Sequence, residues 1–211
     1  GSLIGLLDTF LVNGWGMATA NSLSVTGGVA TLTMPAGSGF EDHCVVLIAG
    51  ATPAALNGEQ RIATTNGTTL TFPTTAADGP ATGTITVKYA PCGWQKVFSG
   101  ANLAVYRSQN VMGNRRFLRV ADTGNVDARV VAYNNMTAVS TGTGPFPTSA
   151  QVSGGGYWPK SMSADSVAQR YDLVGDSMWL YYAPAPYYVY YGGGSDYRIS
   201  STRHFGDPID L

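Results

Sequence analysis

Polar and apolar residues alternate along much of this chain, and the alternation predicts strands. Ala30, Leu32 and Met34 interleave with Thr31 and Thr33, so residues 29–34 form a strand with one apolar face. Ser22–Thr26 precedes it across Gly27-Gly28, a two-residue turn. Residues 44–48 are a short unbroken apolar run, as in a buried central strand. Residues 61–65 and 68–72 flank Asn66-Gly67, a hairpin turn in which both residues need positive φ. Asn57-Gly58 marks a further turn. Thr82, Thr84, Thr86 and Lys88 then alternate with Ile85, Val87 and Tyr89 in a closing strand. Five or six short strands here predict a small sandwich or barrel.

The flanks have another pattern. Leu3, Ile4, Leu6, Leu7, Phe10 and Leu11 recur at helical spacing until Asn13-Gly14, which predicts an amphipathic helix over 3–12. Beyond residue 93, strands are predicted at 103–107, 116–120, 128–133, 171–174 and 178–182, and one or two helical turns at 163–169. The glycine triplets 154–156 and 192–194 predict loop tips or close backbone approaches. All four tryptophans and most tyrosines lie in the flanks, whereas the Thr/Ala/Gly-rich middle has one Lys and one Arg. The chain is therefore predicted to be all-β with a short N-terminal helix. Residues 1–16 and 93–211 form a sandwich- or barrel-like main domain, and 17–92 a small β-sandwich inserted into it.

Composition narrows the function classes. Among 211 residues only 12% are charged, about half the usual share. The net charge of −1 gives no electrostatic footprint for nucleic acid or an anionic membrane. No run of about 18 apolar residues marks a membrane helix, and Leu3–Leu7 lacks the basic flank and cleavage site of a signal peptide. Copies carrying so little charge repel one another weakly, which favours life in an assembly. Cys44 and Cys92 are not in CxxC spacing and read as buried thiols or as a disulfide.

No catalytic, cofactor or metal residue is assigned, and the chain is expected not to be an enzyme. Asp42-His43-Cys44 holds triad-like groups, but neighbours on a strand point to opposite faces and no G-x-S-x-G elbow occurs. Two His and two Cys scattered along the chain do not offer zinc spacing. Glu41, Asp42, Asp122, Asp127, Asp165, Asp172, Asp176, Asp196 and Asp207 could pair for glycoside hydrolysis, but most sit beside Gly, Asn or Ser as turn residues. Gly142-Thr143-Gly144-Pro145-Phe146-Pro147-Thr148 reads as a rigid loop, because its prolines lack the N–H donors of a phosphate cradle. Arg115, Phe117 and Arg119 would share one strand face, with Arg115 and Arg119 either solvated or in an inter-subunit ion pair. The sharpest local feature is Tyr181-Tyr182-Ala183-Pro184-Ala185-Pro186-Tyr187-Tyr188-Val189-Tyr190-Tyr191. Its prolines bar it from a central strand, and loop tyrosines suit interfaces. Protein contact, stacking on sugar rings and core packing all stay open for it.

Two resemblances add to this reading. The pattern Val29-Ala30-Thr31-Leu32-Thr33, Gly39-Phe40, Val45-Val46-Leu47-Ile48-Ala49-Gly50-Ala51-Thr52-Pro53-Ala54-Ala55-Leu56-Asn57-Gly58, Asp78-Gly79 and Gly83-Thr84-Ile85-Thr86-Val87, spread over Val29–Val87, resembles a small β-module common in tailed-bacteriophage structural proteins. The flanks resemble a family of uncharacterised phage virion proteins. The likeness rests on Leu11-Val12-Asn13-Gly14-Trp15-Gly16, on Gly93-Trp94 with Ser99-Gly100-Ala101-Asn102 and Tyr106-Arg107, and on Phe117-Leu118-Arg119-Val120. It continues through Thr141–Thr148, Gly155-Gly156-Tyr157-Trp158, Val174-Gly175-Asp176 and Phe205-Gly206-Asp207. In simpler relatives the opening runs almost directly into the Gly-Trp segment, without the insert. The resemblance implies a virion protein, in head decoration or in the tail or baseplate, whose partners are other copies of itself and other virion proteins. The alternative is a receptor- or glycan-binding adsorption module, followed by a glycosidase.

Overall fold

The computed structural model describes residues 1–161, 170–185 and 202–207, with only the backbone of Ala185. The chain is mainly β: 52% of the described residues are strand against 8% helix. It divides into two compact units, Gly1–Val12 with Cys92–Leu211 (the host), and Asn13–Pro91 (the insert).

In the insert, the strands are β1 (Trp15–Thr19), β2 (Ser22–Thr26), β3 (Val29–Thr33), β4 (Val45–Ala49), β5 (Gly58–Arg61), β6 (Thr64–Thr65), β7 (Thr69–Pro73), β8 (Gly79–Pro80) and β9 (Thr86–Tyr89). They form two sheets, ordered β1-β9-β4-β5 and β6-β7-β3-β2-β8. The alternating residues Leu23, Val25, Ala30 and Leu32 of one sheet and Val46, Ile48 and Val87 of the other share one buried cluster, a sandwich core. The unit begins at residue 13 rather than 17 because β1 pairs with β9, Trp15 opposite Tyr89, and the two rings stack 4.8 Å apart. The expected strand over 61–65 is broken by a change of sheet: β5 pairs with β4, Ile62 is fully buried, and β6 pairs with β7 in the other sheet.

The two glycine turns differ. Gly27 and Gly28 both take positive φ, 58° and 78°, in a two-residue hairpin closed by Thr26 opposite Val29. At the second turn only Gly67 does, at 89°. Asn66 instead uses its side-chain oxygen to accept from the Thr69 backbone N–H at 2.9 Å, in a longer loop.

The host opens with the helix α1 (Ser2–Leu7), which continues as a π-helical turn over Asp8–Asn13. Its strands are β10 (Trp94–Gly100), β11 (Leu103–Ser108), β12 (Phe117–Ala121), β13 (Asp127–Ala138), β14 (Thr141–Phe146), β15 (Gly156–Pro159), β16 (Arg170–Gly175), β17 (Trp179–Ala185) and β18 (Arg203–Gly206). The first six form one sheet, β10-β11-β12-β13-β14, with β15 pairing to the start of β13. The last three form a sheet ordered β16-β17-β18. Leu3, Leu7 and Leu11, the sheet residues Tyr106, Leu118 and Val120, and Leu180 and Tyr182 of β17 make one core, so the helix and both sheets close on each other. The second face of the larger sheet is covered too, with Val105, Phe117 and Met136 buried.

Two expectations fail on proline. Most of the rigid loop expected over 142–148 is a strand, Thr141–Phe146. Pro145 is tolerated because β14 lies at the sheet edge. Pro184 lies in β17, the middle strand of its sheet, yet among the described residues β18 pairs with Trp179–Tyr182, short of Pro184. The helical turns expected over 163–169 and the 192–194 triplet lie outside the described residues. Within the other triplet, Gly154 and Gly155 take positive φ, and a Cβ on Gly155 would meet the Val131 side chain at 2.4 Å, a close approach only glycine allows.

Candidate functional site

The two units distribute the expected site residues differently from the linear reading. Tyr182 belongs to the core. It is 3% exposed, stacks on Trp158 at 5.6 Å and donates its hydroxyl to the Pro159 carbonyl at 2.6 Å. Alternation then puts Tyr181 on the opposite face, half-buried and stacked against Trp179. Tyr187, Tyr188, Tyr190 and Tyr191 lie outside the described residues.

Arg115 and Arg119 do not share a strand face. Arg115 precedes β12 with a φ of 53° and donates from Nε to the Ser108 carbonyl at 3.2 Å. Arg119, on β12, donates from Nε to the Val139 carbonyl at 2.8 Å. Phe117 between them is buried, with the Arg107 guanidinium 5.0 Å over its ring. The buried Nε of Arg107 has no hydrogen-bond partner among the described residues, and burial lowers the guanidinium's pKa, helped by the charge of Arg115.

In the insert, Asp42 is tied to the Thr65 backbone N–H at 2.5 Å, and His43 turns out of the strand with a φ of 65°. Burial pushes the Cys44 thiol up, away from the reactive thiolate. Neither cysteine forms a disulfide. Among the described residues no three metal-ligating side chains converge, and no helix is long and apolar enough to cross a membrane.

What the fold brings together is a cleft of about 370 Å³ on the host, built from five separate stretches of chain. Trp94 of β10 forms its floor, 2% exposed, with Nε1 donating to the Asp176 carbonyl at 2.7 Å and its ring 5.9 Å from Phe205. Phe146 at the end of β14 stands at the rim, 36% exposed, with the Arg116 guanidinium 5.3 Å over its ring. Trp179 and the β18 residues complete the wall. A Cβ on Gly206 would sit 2.2 Å from the Met178 carbonyl oxygen, so only glycine lets β17 and β18 close this tightly.

The lining carries two arginines, Arg115 and Arg116, the exposed His204, and one carboxylate, Asp207. Asp207 accepts from both the backbone N–H and the side-chain amide of Asn114. Among the described residues Asp207 is the one carboxylate of the lining, so no second carboxylate faces it there as glycoside hydrolysis requires. Aromatic walls with a few charged donors are the lining of a candidate binding site.

Beside the cleft stands the loop of residues 109–114, which carries an apolar pair that sequence reasoning missed. Val111 is 78% exposed and Met112 82%. The only linear signal was the pair of asparagines around them, Asn110 and Asn114, whose side chains fold the loop. No family model, curated protein or solved structure matches this chain.

The buried tyrosines give the host a pH signature. Tyr106 is pushed well above the ordinary tyrosine value, first by burial and then by its hydrogen bond to Asp8 and the negative charges of Asp8 and Asp122. Tyr182 is raised chiefly by burial, with Asp122 adding to it. Unfolded tyrosines ionise near pH 10. Because the folded values are higher, this contribution to stability is complete below pH 10 and is lost as pH rises beyond it. Urea unfolding should therefore lose up to about 1.4 kcal/mol per pH unit above pH 10 for each of the two. Tyr106→Phe with Tyr182→Phe should flatten that fall. An unchanged slope would contradict the assignment.

Proposed function

We propose that this chain is a structural protein of a tailed-bacteriophage virion, working through contacts with copies of itself and with other virion proteins rather than through catalysis. The observation that carries the reading is the nesting of the two units. The host closes across the insertion point, with Cys92 donating its N–H to the Phe10 carbonyl at 3.1 Å. The insert closes on itself through β1 and β9. The two host segments so joined are those that run together in the virion proteins the flanks resemble, and the sequence between them resembles a phage β-module. The surface is sparsely charged, and the Val111–Met112 tip offers apolar area to a partner.

A second reading, an adsorption module for a glycan or host receptor, is favoured by the aromatic and guanidinium lining of the cleft. Particles produced without this chain separate the two. Defective or unstable particles support the structural role. Intact particles that fail only to adsorb to cells support the second.

A further inference from the structure

We propose that the cleft is the seat of the Val111–Met112 tip of a second copy of this chain, so that the protein pairs by exchanging loops. The inference rests on the assembly reading above and gives it a contact.

The tip is exposed and yet held. On one leg, Gln109 donates its N–H to the Gly93 carbonyl at 3.1 Å, and Asn110 donates its side-chain amide to the Ser177 hydroxyl at 2.9 Å. At the turn, Met112 donates its N–H to the Asn110 side chain at 2.9 Å. On the other leg, Asn114 is clamped to Asp207 through both its backbone N–H and its side chain. A loop fixed this way loses little conformational freedom on docking, so the burial of Val111 and Met112 goes into affinity. An apolar pair this exposed, on a loop this well braced, has the character of an interface anchor.

The cleft matches it in size and chemistry. About 370 Å³ is at the small end of ligand pockets, enough for side chains rather than a long polymer. Its walls are Trp94, Phe146, Trp179 and Phe205, and methionine sulfur packs well on aromatic rings. Residues 109–114 carry no charge, so the incoming loop brings nothing that Arg115 and Arg116 repel, and its carbonyls are acceptors for their N–H groups. Tip and cleft are neighbours, since Arg115 and Arg116 follow the tip directly and line the cleft. Both therefore belong to one patch of the host, as the self-complementary interface of a two-fold pair, the commonest symmetry of homo-oligomers, requires.

The experiment is sedimentation of the full chain and two variants. The first, Val111→Ser with Met112→Ser, loses the tip. The second, Phe146→Asp, spoils the cleft at a surface position. The wild type should be dimeric at micromolar concentration, and each variant should raise the dimer Kd at least about 30-fold with unchanged circular dichroism. Mixing the two variants should give a one-to-one pair tighter than either variant's own dimer, because one of the two tip–cleft contacts is then intact. A monomeric wild type, a tip variant that still dimerises, or a mixture that associates no better than the variants alone would each overturn the proposal. So would Phe146-dependent binding of an acidic oligosaccharide that leaves the dimer intact. These results are distinguishable from failure of the virion reading: a monomer that is nevertheless present in purified particles sinks the exchange alone.

Discussion

Replacing Asn13–Pro91 by a short Gly-Ser linker between Val12 and Cys92 should leave a host that folds. In the intact chain the Phe10 carbonyl and the Cys92 N–H already meet at 3.1 Å, so the shortened loop has almost no gap to span. The host core draws on Leu3, Leu7, Leu11, Trp94, Leu118, Leu180 and Tyr182, all outside the deleted stretch. The insert core, from Leu23 to Val87, lies wholly inside it. A folded insert with adjoining ends acts on its host as a short loop. A flexible chain of that length would cost about 0.6 kcal/mol for each doubling of loop length. The excised host should therefore unfold cooperatively, with a urea midpoint equal to or slightly above that of the host transition in the full chain. The released insert should give its own β-type circular dichroism spectrum. A deleted host that shows no cooperative transition would mean that the two cores are not independent.

A second large effect is expected at Asp122. Its side chain is fully buried and accepts from the Lys160 ammonium at 2.5 Å and from the Ile4 backbone N–H at 3.1 Å, where α1 begins. The Lys160 side chain is only 10% exposed and also donates to the Gly124 carbonyl. Asp122→Ala leaves that ammonium buried without a countercharge and frees an N–H at the start of the helix. The cost should be about 3–5 kcal/mol of host stability. Removing both charges, by Asp122→Leu with Lys160→Met, should recover a good part of the loss, because the penalty comes from the unpaired charge rather than from the missing attraction. Urea denaturation of the single and double variants measures this. A single variant within about 1 kcal/mol of wild type would contradict the assignment.

The contrast between strands that were read from the sequence and strands that were missed has a physical basis. Thr31 and Thr33 between Ala30 and Leu32 report one buried face directly, and the Gly27-Gly28 turn reports its own backbone. β10 hides because the ladder shifts between Lys96 and Phe98, which breaks the alternation. β14 hides because Gly142, Gly144 and Pro145 are loop-forming residues that only an edge position turns into a strand. For Tyr182 the sequence left interface and core open, because the nearby Pro184 and Pro186 suggest a loop while its burial depends on Trp158 from a different sheet. The cleft was illegible for the same reason. Trp94, Arg116, Phe146 and Phe205 meet only through long-range pairing, and no local pattern records it.

If the proposed virion role holds, quantitative mass spectrometry of density-purified phage particles from cells that produce this chain should find peptides from both the host and the insert at a fixed, multi-copy ratio to the major capsid protein. A chain abundant in the infected lysate but absent from purified particles would contradict it.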